Sequence, residues 1–381
     1  MVQIRHSITP YARKIRRALD KIPFIVSFAG HIDDTSEYAD IILPEHSPLE
    51  RWMDSGPTTG VYFAHAAVSQ PVVKPLYDTR HAGDVLKALA ASLGGSVSRS
   101  LPSDDFLAAL KKRFHGIYTS GEGSVVSGSF EESWVKYLKE RGWQNYVYES
   151  FDDFWNVLVE RGGWWNPSEA EMQLEKTLKT PSRKIELYCS LFDSRVNELA
   201  AALGRDKSKE ETRRMLLGKW KISEKGDSVC LPHFEEPRFS GSKDDYPYLL
   251  LTFGVLSNRT GAGSFSPILQ EMFGYYRRVY WESWIELNPE LAHEHGISEG
   301  DWAEVASPEG SVKARVVINE ALEPHVVAVP FGMGHTSGGR YAKGIGVNPY
   351  NILSEDCDYL WGKPAKACTR VKIAKTRREK I

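Results

Sequence analysis

An α/β protein that closes in an all-β domain is what the sequence predicts, on three observations. Two short apolar segments, Phe24-Ile-Val-Ser-Phe28 and Asp40-Ile-Ile-Leu43, flank a helical stretch at Asp34–Tyr38, the pattern of neighbouring parallel strands joined by a crossover. Helical periodicity then runs through residues 103–225, and a different rhythm begins at Tyr248. There the chain becomes short alternating strands separated by Gly, Pro and Asn/Asp turns, which is the signature of a barrel or a sandwich.

In chain order, Pro10–Lys21 reads as a basic amphipathic helix with Ile15, Ala18 and Leu19 on one face. Strands as apolar as the two that follow are normally covered on both faces, and an open α/β sheet needs more than two of them. The chain is therefore expected to begin inside a domain whose earlier half is elsewhere. A helix at Thr79–Leu93 closes this region, and Gly94-Gly-Ser96 with Pro102 reads as a linker. Helices are expected at Asp104–Phe114, Glu131–Arg141, Phe151–Arg161 and Ala170–Leu178, interrupted by the Gly/Ser-rich stretch Ser120–Ser129. A polar connector, Lys221–Asp245, leads to strands at Tyr248–Thr252, Trp284–Leu287, Trp302–Ser307, Ser311–Ile318 and Val326–Pro330. Between two of them, Asn288 caps a short helix that has Pro289 at its first position and Gly296 at its end. Three regions follow: a partial α/β lobe at 1–95, a helix-rich α/β lobe with linker at 96–242, and a β domain at 243–375.

A chain of 381 residues, 41% hydrophobic and 26% charged, is long enough for two or three cores. Its 48 basic and 50 acidic residues nearly cancel, so no global field is available to hold a nucleic-acid backbone. The aromatic residues cluster around 143–165 and 273–284 and read first as core packing. Cys189, Cys230, Cys357 and Cys368 form no C-x-x-C pair; they fit neither an iron–sulfur cluster nor a zinc site and are expected to be four buried thiols. No apolar run reaches the roughly 18–20 residues of a membrane span. The opening Met1-Val-Gln-Ile-Arg-His6 lacks a signal-peptide core, so no address is expected in the chain as written.

Several longer patterns carry a family resemblance. Phe24-Ile-Val-Ser-Phe28, Asp34-Thr-Ser-Glu-Tyr-Ala-Asp-Ile-Ile-Leu-Pro44 and Leu49-Glu50 resemble the strand–helix–strand of molybdopterin oxidoreductases of the dimethyl-sulfoxide-reductase superfamily. Gly162-Gly-Trp-Trp165 and Thr180-Pro-Ser-Arg-Lys-Ile-Glu-Leu-Tyr188 resemble further stretches of the same large subunits, with Arg183 where glycine is usual. Leu287-Asn-Pro-Glu-Leu-Ala-His-Glu-His-Gly-Ile-Ser-Glu-Gly-Asp-Trp-Ala-Glu-Val-Ala-Ser-Pro-Glu-Gly310 resembles the closing domain of the family. The resemblance implies incomplete Rossmann-like α/β lobes followed by a C-terminal six-stranded double-psi β-barrel. The aromatic spacing is most similar to the quinone-linked branch of polysulfide, thiosulfate and menaquinone reductases.

The resemblance also implies a cofactor, a molybdenum or tungsten bis-pterin guanine dinucleotide. Its ring edges and pyrophosphate call for backbone N–H groups, Asn, Ser and Thr side chains and a few cations. After the first β-domain strand, Thr252, Gly254, Ser257, Asn258, Arg259 and Thr260 match the family's cofactor loop. Without the resemblance this is a glycine turn with a solvated arginine. Gly344-Ile-Gly-Val-Asn-Pro-Tyr-Asn-Ile-Leu353 resembles the loop that lays an asparagine against the pterin. One extra residue between Asn348 and Asn351 leaves open which of them is the equivalent, and isolated asparagines in such a loop are more often turn formers. Ser27, His31 and Asp33, at the carboxyl end of the first strand, are candidates for guanosine contact. Asp34 reads as a helix N-cap, His335 as a solvated loop histidine, and Glu45 and Glu50 as structural.

Neither a cluster motif nor a metal-ligand segment of the family is matched, so no catalytic residue and no iron–sulfur cluster are assigned to this chain. The expected function is the cofactor-capping part of an oxidoreductase subunit, inactive alone, that moves electrons between a small substrate or quinone pool and iron–sulfur partners. A missing N-terminal half or separate chain, an iron–sulfur subunit and a membrane-anchor subunit are the implied partners, at a periplasmic or membrane-associated location. The alternative is a non-catalytic subunit that keeps the fold within a membrane-attached quinone reductase complex.

Overall fold

The computed structural model describes residues 12–56, 63–101, 104–125, 148–166, 178–204, 208–258, 261–277, 279–357, 363–365 and 367–377, with isolated positions between 133 and 141. The chain groups into two compact units, one of Met1–Val26, His31–Ile41 and Leu187–Ile381, the other of Ser27–Gly30 and Ile42–Glu186. The unit boundaries run through the first two strands, β1 (Val26–Ser27) and β2 (Ile41–Ile42). Their hydrogen bonds advance in the same direction, from Asp40 N–H to the Ile25 carbonyl (2.9 Å) and from Leu43 N–H to the Ser27 carbonyl (2.8 Å), so the expected parallel pairing is present. The connection between them contains one short 3-10 turn, Ser36–Tyr38.

The second unit is built on an antiparallel sheet of β3 (Met53–Ser55), β4 (Ala64–Ser69), β5 (Ser124–Val125) and β6 (Gly163–Asn166), in the order β3-β4-β6-β5. Helix Phe151–Arg161 has the limits that its periodicity predicts. Ser150 caps it by accepting the Asp153 N–H at 3.1 Å, and Gly162 ends it in the left-handed region. Phe154 and Trp155 lie four and three residues before Leu158 on one face, and the three pack with Leu110 and Phe114 of helix Phe106–Ser120 against Val125 and Trp164. The sheet joins strands on both sides of residue 95, where the sequence reading places a boundary. Strands of two to six residues are too short to show a period. The expected helix at Ala170–Leu178 and most of that at Glu131–Arg141 lie outside the described residues.

In the first unit, β7 (Tyr248–Gly254), β8 (Trp284–Leu287), β9 (Trp302–Ser307), β10 (Gly310–Ile318), β11 (Val326–Phe331) and β12 (Arg370–Thr376) close into a barrel of order β10-β8-β11-β7-β12-β9. β7 runs parallel to β11 and β8 parallel to β10; all other neighbours are antiparallel. Exchanging first with fourth, second with fifth and third with sixth strand maps the set of neighbouring pairs onto itself. That pseudo-twofold interlocking is the double-psi connectivity. Along β9, Ala303, Val305 and Ser307 are buried while Trp302, Glu304 and Ala306 are partly exposed, the two-residue period expected of a barrel wall. Leu250, Ile285, Leu287, Val316, Val329 and Val371 fill the interior. Asn288 caps helix Pro289–Glu294 as expected, accepting the Glu290 N–H at 2.8 Å, and delivers Leu291 and Ala292 to the core.

The thiol expectation is corrected: Cys230 alone is buried, Cys189 is exposed, and Cys357 and Cys368 are intermediate. Cys189 starts helix Ser190–Leu203 at the surface of a helix pair, where an apolar side chain has no pocket to fill. Because Leu287 is fully enclosed, Leu287→Ala should lower the stability of the barrel by about 3 kcal/mol. Leu256→Ala, at a side chain 94% exposed, should change it by no more than about 0.5 kcal/mol. The urea midpoints of the two variants check this directly.

Candidate functional site

The site grows from the glycine-rich loop that leaves β11. Its histidine is not solvated: His335 is 5% exposed, with Nδ1 at 2.7 Å from Asp34 Oδ2 and Nε2 at 3.1 Å from the Gly332 carbonyl. Both ring nitrogens thus lie within hydrogen-bond distance of an oxygen, so the ring is held from two sides. Asp34 is itself 3% exposed. It also accepts the Thr336 N–H (2.8 Å), the Thr336 hydroxyl (3.0 Å), the Ser337 N–H (3.0 Å) and the Ser337 hydroxyl (3.3 Å). Burial pushes the Asp34 carboxyl up, but the hydrogen bond and charge of His335, with the Ser337 and Thr336 donors, outweigh it and hold the group well below the usual carboxylate range.

The neighbouring aspartate does the work that the sequence reading gives to Asp34. Asp33 Oδ1 accepts the Ser36 N–H at 2.7 Å and the Thr35 N–H at 3.1 Å. It also accepts the Ser36 hydroxyl at 2.6 Å, so Asp33 is engaged in capping. His31 packs against Phe265 with ring centroids 4.2 Å apart and the planes tilted by 50°, and Phe265 lies 5.2 Å from the His335 ring. Ser27 belongs to the other unit, where its hydroxyl accepts the Ala29 N–H at 3.2 Å.

The second segment is the end of β7. Thr252 and Gly254 pair with Val329 and Phe331 of β11, which places the chain beyond them beside the loop after β11. Ser257 and Asn258 lie in the 3-10 turn Leu256–Asn258. Asn258 Nδ2 donates to the Gly332 carbonyl (2.7 Å) and to the Ser264 hydroxyl (2.8 Å), tying the two loops together. Asn258 Oδ1 and Ser257 Oγ are buried without a hydrogen-bond partner. Unsatisfied buried oxygens are uncommon in native proteins and mark positions where a ligand or water completes the set. Arg259 and Thr260 lie outside the described residues.

The third segment opens a cleft of about 670 Å³, within the roughly 300–1,000 Å³ range of small-molecule sites. Its walls are Trp281–Ser283, Trp302, Ser311–Ala314 of β10, Gly334 and Gly344–Asn348, with Asn351 at its margin. Ser283 Oγ accepts the Val347 N–H at 2.8 Å and donates to the Val347 carbonyl at 3.2 Å, fixing one wall to the other. Two glycines make the loop possible. Gly334 has φ +75°, and a Cβ there would stand 2.4 Å from the Asn348 nitrogen; one at Gly346, φ +68°, would meet Ser283 Oγ at 2.5 Å.

Of the two asparagines left open by their spacing, Asn348 is buried and spends its Oδ1 on the Tyr350 N–H (3.0 Å) at the head of the turn Pro349–Ile352. Asn351 is exposed at the cleft. The structure therefore brings Asn348 and Asn351 together in one cleft. It links Asn258 to the same loop through Gly332, whereas Ser27 belongs to the other unit. Sequence reasoning missed Trp281, Trp302 and Lys313 as cleft residues, and Asp34 as the anchor of the loop.

The anchor makes stability depend on acid. A carboxyl depressed in the folded state contributes fully above its unfolded value of about 3.9, and that contribution is lost as pH falls towards the folded value. Asp34→Asn should cost about 3 kcal/mol at pH 7, since it removes one member of a buried charge pair. The difference between wild-type and variant stability should shrink as pH falls below about 4; denaturation midpoints measured across pH 7 to pH 3 check both statements.

Comparison with known proteins gives two family matches: residues 8–92 match a molybdopterin oxidoreductase domain and residues 270–368 a molydopterin dinucleotide binding domain. Asp34 lies in the first and His335 in the second. The arsenate respiratory reductase molybdopterin-containing subunit of Shewanella sp. (strain ANA-3) is 27% identical over 93% of this chain and 42% of its own length. The thiosulfate reductase molybdopterin-containing subunit of Salmonella typhimurium is 23% identical, over 88% and 38%. The menaquinone reductase molybdopterin-binding-like subunit of Nitratidesulfovibrio vulgaris is 22% identical, over 96% and 40%. The chain thus spans about two fifths of the length of the curated relatives it matches. Members of the quinone-linked branch stand among these relatives beside arsenate reductases. Acetylene hydratase from Pelobacter acetylenicus shares the fold, with a TM-score of 0.60 at 18% identity over 96% of this chain and 42% of that one. The chain thus carries a molybdopterin oxidoreductase domain and a molydopterin dinucleotide binding domain, and its relatives are molybdopterin subunits of the dimethyl-sulfoxide-reductase superfamily.

Proposed function

We propose that this chain is the cofactor-capping part of a molybdenum or tungsten bis-pterin oxidoreductase subunit. It would serve electron transfer between a small substrate or quinone pool and iron–sulfur partner proteins. The observation that carries the reading is the cleft of about 670 Å³ whose walls include the asparagine-bearing loop, inside the matched dinucleotide-binding domain. The residues present fit the group: Asn351 offers an amide that donates and accepts at once, Lys313 adds a positive charge, and Ser257 Oγ and Asn258 Oδ1 are buried oxygens without a partner. When bound, the metal and its pterins supply the redox chemistry. The protein's own share is to bind the ring edges through Asn351, to keep the loop in place through Asp34 and His335, and to exclude water with Trp281 and Trp302. Residues 243–375 are the capping domain in this reading.

The complementary part, in the same polypeptide or a separate chain, would carry the cluster motif and the metal ligand. The exposed parallel pair β1–β2 supports such a complement, because parallel strands are normally covered on both faces while Val26 is 41% and Ile41 43% exposed here. An iron–sulfur subunit and a membrane-anchor subunit complete the proposed assembly, at a periplasmic or membrane-associated location. Among the described residues no helix is long and apolar enough to cross a membrane. A second reading, a non-catalytic subunit of a quinone reductase complex, is favoured by the molybdopterin-binding-like relative, whose similarity covers 96% of this chain.

Purified alone, the chain should contain no stoichiometric molybdenum, tungsten or iron, and it should gain molybdenum or tungsten when co-expressed with a complementary part. Elemental analysis after gel filtration reads both, and stoichiometric metal in the chain alone overturns the division of labour. A cofactor-loaded complex without turnover would favour the second reading. In the loaded complex, Asn351→Ala should weaken pterin retention by about 1–3 kcal/mol while leaving the urea midpoint unchanged. His335→Ala should lower the midpoint, because the residue is buried in the Asp34 network. Reversed effects would show that the asparagine is not at the ring edge.

A further inference from the structure

Trp281 stands at the cleft in a conformation that its side chain resists. Its φ is +59°, one of three positive-φ non-glycine residues among those described. Glycine or asparagine occupies the left-handed region at far lower cost than a bulky aromatic, and strain of this kind persists where the surroundings impose it, frequently at ligand sites. The surroundings are visible. The Trp281 ring lies 5.9 Å from that of Tyr341 at an interplanar angle of 34°, and the Arg340 guanidinium sits 4.6 Å from the Tyr341 ring centre. The indole thus packs against Tyr341, whose own ring carries Arg340. Two residues further on, Ser283 is bonded to Val347 of the facing loop, so the segment from Trp281 to Ser283 is held as part of the wall. Trp302 also lines the cleft and has the Arg315 guanidinium 5.9 Å from its ring, while Arg315 Nε donates to Glu282 at 2.9 Å.

Resting on the reading of this cleft as a cofactor site, we propose that Trp281 is its ring-stacking wall and selects a planar fused heterocycle, a pterin or a purine. An indole face held rigid at the margin of a polar cleft gives sequence-tolerant stacking energy to any planar π-system, while Asn351 and Lys313 address the edge and the anionic tail. Stacking admits flat fused rings over non-planar ones; the amide sets how the ring is turned.

The test uses the full chain and two probes, pterin-6-carboxylate followed by quenching of its own fluorescence, and guanosine diphosphate followed by calorimetry. Trp281→Leu should weaken the preferred probe by about tenfold, Trp281→Phe should restore most of that loss, and Trp281→Gly should lose affinity while raising the urea midpoint through relief of the left-handed strain. The probe that responds tells pterin from purine. Equal affinity of wild type and Trp281→Leu, with Asn351→Ala still weakened, overturns the stacking role and leaves the cofactor reading intact. Failure of the wild-type chain to bind either ring overturns the cofactor reading and the stacking role with it.

Discussion

A single buried carboxylate organises the cleft side of the barrel unit. Asp34 receives donors from His335, Thr336 and Ser337, about three hundred residues later in the chain. A charge taken out of water is tolerated only when its lone pairs are filled, and here a histidine ring, two backbone N–H groups and two hydroxyls fill them. The result is that the loop after β11 cannot take up its course unless the N-terminal segment is in place. Everything that loop contributes, from the Gly332 carbonyl gripped by Asn258 to the Gly334 and Gly344–Asn348 wall of the cleft, depends on that bond set.

The same dependence explains which parts of the structure were legible in the sequence. Helix Phe151–Arg161 and strands β8 and β9 have the predicted limits because each carries its own information: a cap and a terminal glycine around an apolar stripe for the helix, an alternating pattern for β9. The sheet β3–β6 was not legible, since four strands of two to six residues express no period and are defined by their partners. Family resemblance reached the double-psi barrel, where composition alone could only offer a barrel or a sandwich.

For the candidate site the division falls between residue type and residue surroundings. Asn348 and Asn351 could be singled out because an amide in a glycine-rich loop suits a ring edge, and the structure places both at the cleft, with one committed to its own turn and the other exposed. Asp33 and Asp34 could not be told apart by sequence, because adjacent aspartates before a helical turn are equally good caps; only the position of His335 assigns one to the turn and the other to the loop. Trp281 was hidden for a related reason. Nothing in an aromatic-rich stretch announces that one ring sits on a left-handed backbone.

The pairing pattern of the barrel also sets the order in which it can form. Of its six strands, only β9 and β10 are both consecutive in sequence and neighbours in the sheet. Every other pairing spans a longer loop, and β12 is needed on both sides, against β7 and against β9. High sequence separation between partners slows assembly, and during synthesis the hairpin of β9 and β10 would wait on the ribosome for Arg370–Thr376 to emerge before the ring could close. The strand made last is therefore the one that locks the ring, and the hairpin made in its middle has no closed partner until then.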